Sequence, residues 1–265
     1  MLIDLHTHTH PRSWDSYLTP DELVERSRAA GLDAIVLSEH DWAWEPEAVR
    51  ALAKRHNFPV FAGIEINTED GHMLVYGLHE YVFGMHRAHE LAEHVERIDG
   101  VMVGAHPYRR QMPWHWDDEQ EYLDALLRAQ SNEAYRFVAA LEVVNGRGTL
   151  RENGFSQQLA AAMGMPGTAG TDSHQRTDIG KTATYFEREV RDERGLIEEI
   201  RAGRIWAVDR TGGEVTEDGA HFAVPDDLPA AYAALEVTRA RRRDEGAPEF
   251  RGRPAHHPHL HLPAR

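Results

Sequence analysis

Short apolar segments alternate with amphipathic segments along about the first 210 residues, and this alternation constrains the fold more than any other feature of the sequence. The apolar segments have the length of strands, and most of the segments between them have the length and periodicity of helices. In Thr19-Pro20-Asp21-Glu22, for example, a threonine suited to the N-cap precedes a first-turn proline and two acidic residues. The pattern predicts an α/β fold with a mostly parallel sheet.

Seven or so strands are expected in this region, and that number fits a closed barrel better than an open dinucleotide-binding sheet. No Gly-x-Gly-x-x-Gly follows the first strand, and the phosphate-loop lysine motif does not occur. The strands are predicted at residues 2–5, 34–37, 60–62, 73–76, 101–103, 138–144, 167–170 and 205–208. The helices are predicted at residues 20–31, 45–55, 86–97, 118–129 and 153–162.

The composition changes after about residue 210, so residues 1–210 are predicted to form one domain and residues 211–265 a partly disordered C-terminal extension. Residues 209–227 are rich in Gly, Asp and Glu, and residues 228–243 predict a short helix. Residues 244–265 are rich in Pro, Arg and His and predict a poorly ordered tail. The four histidines of this tail are more typical of a solvated segment than of a metal site: His256, His257, His259 and His261.

The formal net charge is −15, from 29 basic and 44 acidic residues, and there is no cysteine. Proteins that grip a nucleic-acid backbone are usually basic, so long nucleic acid is not expected as a partner. Without cysteine, a metal must be held by histidine and carboxylate, which suit Zn, Mn or Fe. No apolar run approaches the roughly 20 residues of a membrane helix, and the N-terminus lacks a signal-peptide pattern, so we expect a cytoplasmic protein without membrane contact.

Histidine and acidic residues stand at the ends of at least four predicted strands, where the sites of barrel enzymes assemble. In an extended chain, residues two apart point the same way, so His6 and His8 can reach one metal ion together. The remaining positions lie in Glu39-His40-Asp41, Gly63-Ile64-Glu65, His72, Gly104-Ala105-His106-Pro107 and Thr171-Asp172-Ser173-His174. Burying so many ionisable groups is costly unless metal ions compensate their charge, and the joint pattern therefore predicts a metal site.

The segment Asp4-Leu5-His6-Thr7-His8-Thr9 resembles the first motif of the PHP (polymerase and histidinol phosphatase) superfamily. Residues 31–41, 63–65, 105–107 and 170–174 look like the remaining motifs of that superfamily, in the same order. The resemblance implies a distorted (β/α)7 barrel of the PHP type that binds two or three divalent metal ions, commonly Zn, Mn or Fe. It also implies phosphoesterase activity.

Transferred residue by residue, the resemblance implies ligands for three ions. The first ion is assigned to His6, His8, Glu65 and Asp172, the second to Glu65, His72 and His106, and the third to Asp15, His40 and His174. Family members differ in where the ligand of the fourth strand stands, so His79 is an alternative to His72. Asp4 is expected to have a structural role beside the first pair.

The expected reaction is hydrolysis of a small phosphorylated metabolite or nucleotide by a metal-activated water. A phosphate ester calls for arginine, and Arg109 is the first candidate to bind it, with Arg110, Arg147 and Lys181 as weaker ones. His40 or His174 would protonate the leaving oxygen if the third ion is absent.

Trp114 and Trp116 either line the pocket or pack under their loop. Amide or ester hydrolysis on the same barrel, a PHP-type nuclease and a metal-binding module without turnover are the alternative functions. A sugar phosphate, histidinol phosphate, a nucleoside bisphosphate and a cyclic phosphodiester are all compatible substrates, and the oligomeric state stays open.

Overall fold

A computed structural model describes residues 1–113, 118–211 and 223–247. The strands are β1 (Leu2–Thr7), β2 (Ala34–His40), β3 (Val60–Thr68), β4 (Gly71–Tyr76), β5 (Val101–Gly104), β6 (Ala140–Asn145), β7 (Gly167–Gly170), β8 (Thr182–Phe186) and β9 (Ile205–Asp209). The helices are α1 (Pro20–Ala29), α2 (Pro46–His56), α3 (Ala88–Arg97), α4 (Tyr108–Gln111), α5 (Glu119–Ala129), α6 (Leu150–Met163), α7 (Glu193–Ala202) and α8 (Leu228–Asp244).

The nine strands form one sheet in the order β7-β6-β5-β4-β3-β2-β1-β8-β9. This sheet curls until β7 approaches β1, and two backbone hydrogen bonds join the ends: Asp172 N–H to the carbonyl of His6 (2.8 Å) and His8 N–H to the carbonyl of Ser173 (3.1 Å). Strands β1 to β7 therefore form a nearly closed barrel. Strand β8 pairs with Leu2 and Ile3 at the start of β1, and β9 pairs with β8, so these two strands extend the sheet beyond the barrel. The prediction of a seven-stranded PHP-type α/β barrel is confirmed.

One barrel strand runs against the others, and this reversal is the distortion of the barrel. Strand β4 is antiparallel to both β3 and β5, whereas β1–β2, β2–β3, β5–β6 and β6–β7 are parallel pairs. Because β3 and β4 form a hairpin, no helix separates them, and Asn67 pairs directly with His72. Residues opposite each other in such a pair share a face of the sheet, so the hairpin brings His72 to the face that carries Glu65.

The strands are buried on both faces because helices pack around the outside of the barrel, for example α6 against β6 and α2 against β3. The predicted helices are all present with shifts of a few residues at their ends, and the predicted helix at 228–243 is α8. Strand β8 and helix α7 are not predicted from the sequence. Thr182 and Thr184 give β8 little apolar character, yet both are buried, and Thr184 Oγ1 donates to the carbonyl of Ala169 (2.8 Å).

Among the residues that the structure describes, no helix is both long enough and apolar enough to span a membrane. Residues 248–265, which include the four histidines of the predicted tail, lie outside the described residues.

Candidate metal centre

Glu65 lies at the centre of a cluster of imidazoles at the carboxyl end of the barrel. Its carboxylate is buried, and five histidine rings reach it. The nitrogen–oxygen distances are 2.8 Å to His40 Nδ1, 2.8 Å to His72 Nδ1, 3.0 Å to His106 Nε2, and 3.4 Å to both His6 Nε2 and His8 Nε2. One buried carboxylate is thus shared by five imidazoles.

The barrel strands place these side chains by simple periodicity. His6 and His8 are two residues apart at the end of β1, so both rings point into the barrel mouth, with centroids 4.9 Å apart. Asp172 follows β7 and lies against them, with Oδ1 3.3 Å from His8 Nε2 and 3.7 Å from His6 Nε2.

Asp172 and His106 have positive φ angles of 52° and 26°. Such backbone costs about 1–3 kcal/mol per residue and clusters at functional sites.

Four groups of side chains offer ligand atoms that all lie within 4.8 Å of one another. They are His6–His8–Asp172, Glu65–His72–His106, His8–His40–His174 and His6–His106–Glu142. In these four groups, three buried ligand atoms make no hydrogen bond of regular geometry, namely His6 Nε2, His8 Nε2 and Glu65 Oε2, although His40 Nδ1 lies 2.8 Å from Glu65 Oε2. Unpaired buried polar atoms are rare and costly, and histidine nitrogen with carboxylate oxygen is a common donor set for Zn, Mn or Fe. The residues present therefore fit a divalent-metal site.

The charges of the cluster stabilise one another. Burial opposes the charged form of His6, but the carboxylates of Glu142, Glu65 and Asp172 outweigh burial and raise the His6 pKa well above its usual value. Burial likewise opposes the ionised forms of Glu65 and Asp172, but the charge of His6 and contacts with the other rings hold both carboxyl pKa values well below their usual range. Both carboxylates are therefore ionised at neutral pH, which is the form that binds metal.

Two other imidazoles are held in the neutral form that ligates metal. Burial lowers the pKa of His8 to about 3. Burial is also the largest influence on His106 and lowers its pKa, against the opposing effect of Glu65. Neither ring is protonated to the charged form at neutral pH, so each has one nitrogen with a free lone pair that can bind metal.

The third predicted group lies nearer to solvent. Asp15 Oδ2 is 3.1 Å from His174 Nε2 and 3.5 Å from His40 Nε2, and the Asp15 side chain is 32% exposed. The structure thus brings Asp15 to the two histidines. Burial would lower the His40 pKa, but contact with the Glu65 carboxylate outweighs it and raises that pKa.

Two arginines contact the cluster from its rim. Arg109, at the start of α4, donates to Asp172 Oδ2, and its Nη1 lies 3.1 Å from His106 Nε2. Arg147, after β6, places Nη1 2.8 Å from His174 Nδ1. The two weaker candidates point elsewhere: Arg110 donates to the carbonyls of residues 68 and 69 and to the residue 67 side chain, and Lys181 pairs with Asp178 at 3.3 Å.

The alternative ligand His79 is not part of the cluster. Its Nε2 lies 3.1 Å from Glu193 of α7, and this hydrogen bond raises the His79 pKa. His72, in contrast, lies against Glu65. Asp4 has the structural position expected of it, because it accepts hydrogen bonds from the Thr171 backbone (2.9 Å) and hydroxyl (2.6 Å), and burial raises its pKa to about 7. Trp114 and Trp116 lie outside the described residues.

Two buried carboxylates around the cluster are not among the ligands predicted from the sequence. Glu142 of β6 lies 2.9 Å from His6 Nδ1. Glu39 of β2 accepts a hydrogen bond from Ser13 Oγ (2.5 Å), which in turn lies 3.1 Å from His8 Nδ1. The available signal for Glu142 is an acidic residue inside the apolar segment 138–144, where a solvated charge is not expected.

Comparison with known proteins places this barrel among related structures. Residues 151–205 match the PHP-associated family model, and residues 1–85 match a family of unknown function. Comparison with curated proteins gives no match. A two-domain protein from Bacteroides vulgatus, which contains a predicted PHP-like metal-dependent phosphoesterase, is 19% identical with a TM-score of 0.53, covering 79% of this chain and 64% of that one.

PsfC from Pseudomonas syringae is 16% identical with a TM-score of 0.52, and the match covers 92% of this chain and 98% of that one. At these identities the similarity shows a shared fold. The PHP-associated match lies in a seven-stranded barrel of the same fold as the PHP-like structure, and it includes α6, β7 and the Asp172 segment that follows β7. The family-model match and the shared fold together support membership of the PHP superfamily.

Proposed function

We propose that this protein is a metal-dependent hydrolase that cleaves a small phosphate ester. The observation that carries the proposal is the placement of Arg109 and Arg147 against the cluster of imidazoles and carboxylates. Arginine offers a planar fork of donors that matches phosphate oxygens, and Arg109 is only 35% exposed. An amide or neutral ester has no need of two guanidinium groups at this position.

The proposed ligands are His6, His8, Glu65 and Asp172 for one ion, Glu65, His72 and His106 for a second, and Asp15, His40 and His174 for a third. When bound, two or three ions of Zn, Mn or Fe would activate a water molecule for attack at neutral pH and stabilise negative charge on the phosphoryl oxygens.

The side chains of the rim complete the proposed reaction. Arg109 binds the non-bridging oxygens of the ester, where negative charge increases in the transition state. The guanidinium keeps its charge throughout, because the carboxylate of Asp172 raises the Arg109 pKa against the effect of burial. His40 or His174 delivers a proton to the leaving oxygen when the third ion is not bound, and His40 is suited to this by its raised pKa.

The first experiment is elemental analysis of purified, tag-free protein, together with assays of p-nitrophenyl phosphate, bis-p-nitrophenyl phosphate and p-nitrophenyl acetate. Two or three equivalents of transition metal and phosphate-ester cleavage that a chelator abolishes are expected. Metal binding with cleavage of the acetate alone would contradict the phosphate ester and favour a carboxylic ester or amide. Failure to bind metal after reconstitution would contradict the whole site.

Variants separate the metal site from the phosphate contact. His8→Ala and Asp172→Ala should lose metal and activity together, because each removes a ligand of the first ion. Arg109→Ala should keep its metal and lose about 100-fold or more in kcat/KM, as removal of one preorganised donor typically does. Arg110→Ala is the matched control, since the Arg110 guanidinium lines the same cavity but donates to residues 67, 68 and 69 and not to Asp172, and its kcat/KM should stay within twofold of wild type. Equal losses in the two arginine variants would refute the role of Arg109.

A further inference from the structure

The two histidines at the end of β1 are each linked, directly or through a hydroxyl, to a buried carboxylate on another strand. His6 Nδ1 lies 2.9 Å from Glu142 Oε1. His8 Nδ1 lies 3.1 Å from Ser13 Oγ, and that hydroxyl donates to Glu39 Oε2 at 2.5 Å. All five side chains are at most 1% exposed. In both rings the contact is made by Nδ1, which leaves Nε2 facing Glu65 and Asp172.

Both oxygens of Glu142 are already occupied by donors. Oε1 accepts from His6, and Oε2 accepts from the backbone N–H of His106 (2.9 Å) and from Asn145 Nδ2 (3.0 Å). Glu142 lies near enough to His6 and His106 to be considered a metal ligand. Such a role would sacrifice these three hydrogen bonds and would use the nitrogen of His6 that points away from Glu65. The geometry therefore favours a supporting role over ligation.

Glu39 is anchored in a comparable way. Its carboxylate accepts from the Thr9 backbone (2.8 Å), from the Thr9 hydroxyl and from Trp44 Nε1 (2.8 Å), besides Ser13. With these donors in place, Glu39 cannot turn towards the metal cluster. Ser13 is left as the link to His8, since its hydroxyl proton goes to Glu39 and its lone pair faces His8 Nδ1.

We propose that Glu142, directly, and Glu39, through Ser13, are positioning residues that hold His6 and His8 in the Nδ1–H tautomer, so that both Nε2 atoms face the metal. A carboxylate that accepts from the outer nitrogen of a metal-binding imidazole fixes the ring and increases its basicity, and losing such a partner typically costs 10–100-fold in metal affinity. The inference rests on the proposed metal site but is independent of the phosphate-ester substrate.

The experiment measures Zn²⁺ affinity by competition with a chromophoric chelator in full-length protein. Glu142→Gln and Ser13→Ala should each weaken the tightest Zn²⁺ site by about 10–100-fold. Glu199→Gln is the matched control for the loss of a buried carboxylate, because Glu199 lies on α7, outside the cluster, and pairs with Arg204 (2.5 Å). The control should lower the melting temperature without changing Zn²⁺ affinity. Wild-type affinity in Glu142→Gln would overturn the role of Glu142, and wild-type affinity in Ser13→Ala that of the Glu39 relay.

A spectroscopic measurement on the wild-type protein does not depend on any variant folding. Long-range ¹H–¹⁵N spectra of the Zn²⁺-loaded protein should show His6 and His8 with protonated Nδ1 and metal-bound Nε2. Coordination of either ring through Nδ1 would overturn the inference for that ring, because Glu142 could not then accept from His6, nor Ser13 from His8. Zn²⁺ binding with this tautomer and no phosphate-ester cleavage would contradict only the proposed reaction and leave the positioning role intact.

Discussion

Replacement of Gly170 by alanine should damage the barrel where β7 meets β1. A Cβ atom at residue 170 would lie 2.4 Å from the Cβ of His6, 3.0 Å from its backbone nitrogen and 2.8 Å from Glu142 Oε1. Carbon atoms in good contact are about 3.5–4.0 Å apart, so the closest of these contacts is too short by more than ~1 Å. Rotation of the His6 side chain cannot relieve it, because neither the Cβ nor the backbone nitrogen moves with χ1.

The expected cost follows from overpacking of a close-packed interior. Extra methyl groups in such sites cost about 1–3 kcal/mol, occasionally more, and the overlap with two fixed atoms of β1 places Gly170→Ala at or above the upper end. In a chain of this size, 3 kcal/mol corresponds to a fall in melting temperature of roughly 6–12 °C. Because the strain acts on His6 and Glu142, Zn²⁺ affinity should fall by about tenfold or more as well.

Urea unfolding followed by circular dichroism measures the change, and Gly154→Ala is the control. Gly154 lies inside α6, and a Cβ atom there would meet nothing within 4 Å. Alanine is the better helix former by about 0.5–1 kcal/mol, so the control should be stabilised while Gly170→Ala is destabilised. A free energy of unfolding within ~0.5 kcal/mol of wild type for Gly170→Ala, the scatter ordinary for neutral substitutions, would refute the steric argument.

Three further predictions concern charge, capping and metal. Glu193→Gln should return the raised His79 pKa towards its usual value, and NMR titration measures this change; a wild-type titration curve in the variant would contradict the pairing. In the wild type, the pair stabilises the fold below about pH 6.5, and that contribution is lost as the pH rises through the raised pKa. Thr149→Ala should lose about 1 kcal/mol in urea unfolding, because Thr149 and Glu152 form a capping box. The control Thr238→Ala should be near neutral, because the half-buried Thr238 lies inside α8, where alanine is the better helix former; equal effects would contradict the cap. Removal of metal with a chelator should lower the free energy of unfolding by about 2.7 kcal/mol, compared with protein in a free metal concentration about 100 times the Kd. An unchanged melting curve would argue against a metal bound to the native state.

The sequence predicts the barrel well because its strands and helices depend on local pattern. Most apolar segments become strands within a few residues of the predicted bounds, and β7 occupies residues 167–170 as expected. The periodicity of His6 and His8 and their position at a strand end also depend only on the local chain. The structure places all nine predicted ligands in one cluster, and their role as ligands stays a prediction.

The contacts that the sequence does not predict join residues far apart in the chain. Glu142 is 136 residues from the ring that it contacts, and inside an apolar strand its partner cannot be identified by spacing. His72 reaches Glu65 only because β4 reverses direction, which the apolar pattern of a strand does not encode. The contact of Arg147 with His174, and that of Arg110 with Asn67, depend on tertiary packing in the same way.

The dependence of the site on distant strands couples metal binding to barrel closure. The outer nitrogen of His6 contacts Glu142 of β6, and that of His8 is linked through Ser13 to Glu39 of β2. The hydrogen bonds of Asp172 N–H to His6 and of His8 N–H to Ser173 close the barrel. An ion held by His6, His8 and Asp172 would therefore bind the closed barrel and not an isolated loop. Hydrogen exchange tests this directly: on Zn²⁺ loading, the amides of Asp172 and His8 should gain protection together. Protection confined to the loop after β5, with exchange at the β1–β7 closure unchanged, would show that the ions bind without stabilising the closure.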